Sequence, residues 1–348
     1  MSTPTTDLAL PVLDLSQLQQ GPAEAERFRV ALRQATHEYG FFYLIGHGVE
    51  ESLTSEMIKM ARRFFALPEA AKLAIANTNS PQFRGYTRVG GELTQGRVDW
   101  REQLDIGPER PAVEAGPDVP AYLRLEGPNL WPAELPELRD VVTRWESRLT
   151  DLGQRLLRAW AESLSAAPDV FAPAFGDRPS TFIKIVRYPS RTRTDHDQGV
   201  GAHKDAGVLT LLLVEPGKVG LQVERDGRWI DAPPLPGAFI VNIGELLEYA
   251  TGGYLKATVH RVISPDDGLD RISIPFFLNP ALDSTFPRLQ LPPELQRHAR
   301  GVTADPDNPI YGVYGENALK WRLRSHPDVA AIHHADLLTR AAAAAPLG

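Results

Sequence analysis

Phe182-Ile183-Lys184-Ile185-Val186-Arg187-Tyr188 opens a stretch, Thr181 to Pro280, in which short apolar runs alternate with turn residues. The later runs are Val208-Leu-Thr-Leu-Leu-Leu-Val214, Leu221-Gln-Val223, Trp229-Ile230, Phe239-Ile-Val-Asn-Ile243 and Ile272-Ser-Ile-Pro-Phe-Phe277. Each is too short for an ordinary helix and rich in β-branched or aromatic side chains, so each predicts a strand. Asp226-Gly227 lies between two of them and suits a two-residue hairpin, whose central positions both need positive φ. Many short strands at close spacing predict an antiparallel sandwich or barrel, of which the jelly roll is a common form.

Outward from this stretch the pattern changes. Leu138, Val141, Val142, Trp145, Leu149, Leu152, Leu156 and Trp160 recur at spacings of three and four, which predicts a long amphipathic helix from about Glu137, backed onto the sheet. Nearer the start, Leu10 to Leu15 reads as a strand and Pro22 to Glu38 as a helix that stops at Gly40. Phe41 to Ile45 follows as a strand ended by Gly46 and Gly48, then a helix over roughly Leu53 to Ala66. Residues 81–136 are irregular and rich in Gly and Pro, although Trp100 to Ile106 could pair as a strand. The tail after Leu291 reads as helical, with an alanine run at Ala341 to Ala345. The expected organisation is mainly β with flanking helices: an αβ N-terminal region (1–136), a long helix plus jelly-roll core (137–290), and a C-terminal helical segment packing on that core (291–348).

At 348 residues and 38.4 kDa the chain can bury a large core. A net charge of -7 and a pI near 5.8, without a block of basic residues, argue against nucleic acid or an anionic membrane as partner and favour a small molecule. No cysteine is present, so a metal would have to be bound by His and carboxylates. The start lacks a signal-peptide pattern and no window has eighteen uninterrupted apolar residues, which leads to the expectation of a cytoplasmic protein. Thirty arginines against seven lysines suggest a GC-rich bacterial genome. Nothing in the sequence specifies an oligomeric state.

His203-Lys204-Asp205 sits just before the run at Val208, and in extended backbone residues i and i+2 share a face, so both His203 and Asp205 could reach one ion. A His-x-Asp pair alone also suits a solvated loop. His260, in Thr258-Val-His-Arg-Val262, supplies a third ligand type at the edge of a strand. Two histidines and one carboxylate make a facial triad, which leaves three positions of an octahedral ion open for a bidentate co-substrate and dioxygen. Arg271 and Ser273 form another i, i+2 pair. A guanidinium fork and a hydroxyl suit the far carboxylate of an acidic co-substrate, and Tyr188 is a third candidate donor.

These residues, in this order, resemble the Fe(II)- and 2-oxoglutarate-dependent oxygenases, in the branch named for isopenicillin N synthase. The resemblance covers most of the chain: Leu10 to Leu15, Gly40 to Val49, Arg187-Tyr188-Pro189, His203-x-Asp205, Gly220 to Val223, His260-Arg-Val262 and Arg271-x-Ser273-x-Pro275-Phe-Phe277. It implies a double-stranded β-helix, iron on His203, Asp205 and His260, and the C5 carboxylate of 2-oxoglutarate on Tyr188, Arg271 and Ser273. The implied reaction is oxidation, in the simplest case hydroxylation, of a small molecule with consumption of O2 and release of succinate and CO2. Retention of Asp205, which related halogenases replace by a small residue, favours hydroxylation or another oxidation over halogenation. By the same resemblance Arg84 lies near the substrate and Phe277 forms an aromatic wall. Arg84 would suit an acidic substrate such as an amino acid, peptide or secondary metabolite. Arg101 and Gln103 are further pocket candidates. His37, His47, His196, His333 and His334 complete no site and are expected to be structural or surface residues.

Two other functions share these features. Isopenicillin N synthase itself uses the scaffold as an Fe(II) oxidase without 2-oxoglutarate, its equivalents of Tyr188, Arg271 and Ser273 holding the substrate carboxylate. A metal-binding sensor could keep the sandwich without catalysis, although here the whole triad is present. A zinc hydrolase would need a general base of the His-Glu-x-x-His kind, and the chain has none.

Overall fold

The computed structural model describes residues 10–114, 116–190, 198–265, 269–302 and 308–338. His196 and the alanine run lie outside them. In chain order the strands are β1 (Val12–Asp14), β2 (Phe41–Ile45), β3 (Gly85–Thr87), β4 (Leu93–Thr94), β5 (Arg97–Val98), β6 (Glu102–Ile106), β7 (Phe182–Tyr188), β8 (Gln198–His203), β9 (Leu209–Val214), β10 (Leu221–Arg225), β11 (Arg228–Asp231), β12 (Phe239–Ile243), β13 (His260–Ile263) and β14 (Arg271–Leu278). The helices are α1 (Pro22–Glu38), α2 (Glu51–Phe65), α3 (Glu69–Ala74), α4 (Leu138–Ser163), α5 (Ala172–Phe175), α6 (Glu245–Ala250), α7 (Pro293–Gln296), α8 (Tyr314–Ser325) and α9 (Pro327–His333).

Two sheets face one another. The larger runs β1-β2-β12-β9-β14-β7-β6-β3 and the smaller β11-β10-β13-β8, with every pairing antiparallel except β1 to β2. This is the jelly roll that the strand pattern predicts. The Asp226-Gly227 hairpin joins β10 to β11, with φ of 51° and 76° at its two central residues. Strands of the N-terminal region extend the larger sheet at both edges, β1 and β2 at one and β6 and β3 at the other.

The period of two sorts the larger sheet's side chains. Ile272, Ile274, Phe276 and Leu278 of β14, with Ile183 and Ile185 of β7 and Leu209, Leu211 and Leu213 of β9, join α1, α2 and α4 in one core. Helix α4 lies close enough that a Cβ on its Gly153 would meet Leu278 Cδ2 at 2.6 Å. The opposite face supplies Val186, Tyr188, Val214 and Ile240 to a second core, against Val200, Leu221, Val223 and Val262 of the smaller sheet. One end of the space between the sheets is not filled by this core, and α8 borders it through Trp321, whose ring meets Phe182 edge-on at 6.4 Å. Among the described residues no helix is long and apolar enough to cross a membrane.

Candidate active site

His203 ends β8 and His260 begins β13, and the two are directly paired, with ring centroids 4.3 Å apart. Each ring is fixed by the carbonyl two residues before it: His203 Nδ1 lies 2.8 Å from Gly201 O and His260 Nδ1 3.1 Å from Thr258 O. A carbonyl can only accept, so both Nδ1 atoms donate and both Nε2 lone pairs are free to bind a metal. Asp205 Oδ1 is 3.5 Å from His203 Nε2 and 3.6 Å from His260 Nε2. Its Oδ2 accepts from Thr210 Oγ1 at 2.5 Å and Asn242 Nδ2 at 2.8 Å, which orients Oδ1 toward the histidines. The three residues each offer a ligand atom, all within 4.8 Å of one another.

One expectation is corrected here. His203 and Asp205 do not share a strand face: β8 ends at His203, and Asp205 lies in the connection to β9. Asp205 O accepts from Glu245 N at 2.8 Å and Gly207 O from Leu246 N at 3.0 Å, so the start of α6 clamps the connection. Backbone hydrogen bonds from the distant start of α6, not strand alternation, hold the segment that carries Asp205 beside the histidines.

The ionisation states suit a metal. Burial alone would raise the Asp205 carboxyl, but His260, His203 and the Thr210 hydroxyl outweigh it and hold the group well below its ordinary range. Burial, with His203 adding to it, pushes His260 down to about 4, so it is neutral at physiological pH. His203 is raised: burial opposes protonation, and the hydrogen bond and charge of Asp205 override it. A metal there competes with a proton.

Arg271 and Ser273 project from β14 into the same cavity, with Tyr188 of β7 directly opposite Arg271. The Arg271 guanidinium is buried, its Cζ 5.0 Å from the Tyr188 ring centroid, and its Nε and Nη1 have no partner. Burial lowers its pKa, against the pull of Tyr188 and Glu215. On β14, Ser273 pairs with Val214 and Phe277 with Thr210. The row that carries the anchor of Asp205 is therefore roughly 14 Å along the sheet from the Ser273 row, a gap that the long arginine side chain helps to close.

Arg84 also lines the cavity. It precedes β3, after Phe83 at φ 59°, and its guanidinium rests on Gly107, where a Cβ would fall 1.3 Å from Nη1. Its Nη2 donates to Leu125 O at 3.3 Å and its Nε has no partner. Burial, then the nearby Arg322, push its pKa down to about 9. Phe277 stacks on Phe182 with centroids 6.0 Å apart. One cavity thus brings together His203, Asp205, His260, Tyr188, Arg271, Ser273, Arg84 and Phe277.

Residues 180–280 match the family model described as the 2OG-Fe(II) oxygenase superfamily, and residues 10–134 that described as non-haem dioxygenase in morphine synthesis N-terminal. A 2-oxoglutarate-dependent dioxygenase of Dothideomycetidae sp. is 36% identical over 337 residues, 92% of this chain and 90% of that relative. The chain belongs to the 2OG-Fe(II) oxygenase superfamily. A homoarginine-6-hydroxylase of Arabidopsis thaliana is 32% identical over 319 residues, 88% of this oxygenase and 95% of that relative. The crystal structure of a full-length Neurospora crassa protein in complex with alpha-KG and 5-formyluracil superposes with a TM-score of 0.72 at 25% identity, covering 92% and 98% of the two chains. The protein is therefore an Fe(II)- and 2-oxoglutarate-dependent dioxygenase that oxidises a small molecule.

Several residues of the oxygenase cavity escaped the sequence reading. Thr210 and Asn242 look like ordinary strand residues until the sheet places them beside Asp205. Lys184, two residues from Phe182 on β7, had the i, i+2 signal that would have found it. Trp321 and Arg322 arrive from α8, and no local pattern connects them to the cavity. Arg101 lines the cavity but is engaged by Glu92 and Asp99, and Gln103 donates to Asp105. His47 and His334 bond to the carbonyls of Gly237 and Pro81, and His37 and His333 to those of Tyr254 and Thr78, all structural contacts.

Proposed function

We propose that His203, Asp205 and His260 hold the Fe(II), that Tyr188, Arg271 and Ser273 receive the C5 carboxylate of 2-oxoglutarate, and that the oxygenase hydroxylates a small acidic molecule whose anionic group faces Arg84. The observation that carries this reading is the convergence of two free Nε2 lone pairs and one Asp205 oxygen, with the other Asp205 oxygen already bonded to Thr210 and Asn242. Two neutral imidazoles and a carboxylate are the donor set of oxygen-activating Fe(II) sites that keep open positions. The unpartnered Nε and Nη1 of Arg271 leave buried N–H donors on two edges of the guanidinium, each able to donate to a carboxylate oxygen. When bound, the metal would activate O2, the oxidant, with 2-oxoglutarate supplying two electrons: one oxygen atom ends in succinate as CO2 is released, and the other is inserted into a substrate C–H bond.

The chain's own residues bind, orient and shield. Thr210 and Asn242 keep Asp205 in one orientation, and the carbonyls of Gly201 and Thr258 keep the imidazoles in one tautomer. Phe41, Val200, Leu212 and Val262 line the cavity with apolar surface, which disfavours water there. Anaerobic Fe(II) titration tests the ligand assignment. One equivalent should bind the wild type, with at least a hundredfold loss in His203→Ala and in Asp205→Ala. Undiminished binding in either variant would rule the assignment out.

A further inference from the structure

Two buried guanidiniums among the described residues have no carboxylate within 4 Å: Arg271 and Arg84. Arg271 is the proposed anchor of the co-substrate carboxylate. The second belongs to a cluster at the cavity's other end, with Arg101, Lys184 and Arg322 as cations and Glu92, Asp99 and Asp105 as anions. His326 sits beside Glu92 and Asp105, and burial keeps it neutral. Four cations face three carboxylates, and the next charged neighbours of Arg84, Glu146 and Arg110, cancel one another. A buried unpaired charge is costly, so the cluster is built to be completed by an anion.

Its geometry suits a single carboxylate. The Cζ atoms of Arg322 and Arg84 lie 3.7 and 5.8 Å from the same Phe182 ring centroid, and Arg322 is the charged group that acts most strongly on Arg84, so the two guanidiniums border one region of the cavity. Phe182, Phe277, Trp321, Leu125 and Leu282 provide an apolar and largely aromatic surround. The acidic residue lining the cavity is Asp205, with no other among the described residues. Glu92, Asp99 and Asp105 are already engaged by Arg101, Lys184 and Arg322, so a substrate ammonium would be desolvated beside several cations with no uncommitted carboxylate of the cluster to meet it.

We infer that the substrate is a carboxylic acid with an apolar or aromatic body and no amino group, its carboxylate held between Arg84 and Arg322 and its body against Phe182, Phe277 and Trp321. This rests on the metal-centre reading, which places the oxidised carbon at the triad. Arg322 is then a specificity-determining residue supplied by the C-terminal segment.

The test uses the full-length protein loaded anaerobically with Fe(II) and saturating 2-oxoglutarate, so that Arg271 is occupied. Calorimetric titration compares 3-phenylpropionate, 3-phenylpropanamide and phenylalanine, which differ only in the carboxylate or the amino group. The acid should bind at least tenfold tighter than either of the others. Arg322→Gln should weaken the acid by roughly 30-fold or more, leaving the amide and the affinity for 2-oxoglutarate unchanged. An acid that binds no better than its amide in the wild type overturns the inference without any variant. Phenylalanine binding as well as the acid would overturn the exclusion of amino acids. Acid preference surviving in both Arg84→Gln and Arg322→Gln would remove the two arginines from it. Failure of the metal-centre reading is seen separately, as absence of the visible Fe(II)–2-oxoglutarate band.

Discussion

Replacing Arg271 by methionine should stabilise the ligand-free protein while abolishing its stabilisation by 2-oxoglutarate. Arg271 is 1% exposed, and its Nε and Nη1 have no partner. Each buried unsatisfied donor costs about 1–3 kcal/mol, so the two together cost roughly 2–6 kcal/mol in the absence of ligand. Methionine removes that penalty and fills part of the volume. Against this stand the loss of the Tyr188 cation–π contact at 5.0 Å, about 0.5–2 kcal/mol, and a void worth about 1 kcal/mol. At the middle of these ranges the balance is a net stabilisation of roughly 2 kcal/mol. In the wild type the same penalty is repaid by ligand: at a hundred times its Kd, 2-oxoglutarate stabilises by about 2.7 kcal/mol. Scanning calorimetry of both proteins, with and without 2-oxoglutarate in the presence of anaerobic Fe(II), reads both effects. A variant that melts below the wild type without ligand, yet still gains stability from 2-oxoglutarate, would refute the reasoning.

Asn242→Leu removes one of the two hydrogen bonds on Asp205 Oδ2, and Fe(II) affinity measured by anaerobic titration should fall roughly 10–100-fold with the circular dichroism spectrum unchanged. Gly107→Ala places a Cβ 1.3 Å from Arg84 Nη1, so the guanidinium must move. Urea unfolding should show a loss of about 1–3 kcal/mol, with 2-oxoglutarate affinity retained. Burial lowers the pKa of His326 from 6.5, so below pH 6.5 the unfolded chain takes up a proton that the folded chain refuses. The stability that neutral His326 provides is complete above pH 6.5 and is lost as pH falls toward its folded pKa. His326→Leu should make the fall in unfolding free energy from pH 6.5 to 5 shallower, by at most about 1.4 kcal/mol per pH unit.

How much of this was legible in the sequence depends on the range of the interaction. The β14 alternation, with Arg271 and Ser273 on one face and Ile272 and Ile274 on the other, follows from a period of two and needs no partner strand. The Asp226-Gly227 turn was equally local. Strand order was not: that β12 lies between β2 and β9 is set by long-range pairing, and so is the support that Asn242 gives Asp205. Asp205 was named correctly as a cavity residue for the wrong geometric reason, because the clamp from α6 leaves no periodic trace. Arg322 was invisible because its relation to Arg84 exists only once α8 has packed beside Phe182.

The most direct test of the central claim is the visible spectrum of the anaerobic protein titrated with Fe(II) and 2-oxoglutarate. A weak charge-transfer band should require both, saturate at one equivalent of iron, and be missing in His203→Ala. A wild-type protein that binds one iron yet gives no band with excess 2-oxoglutarate would contradict the account.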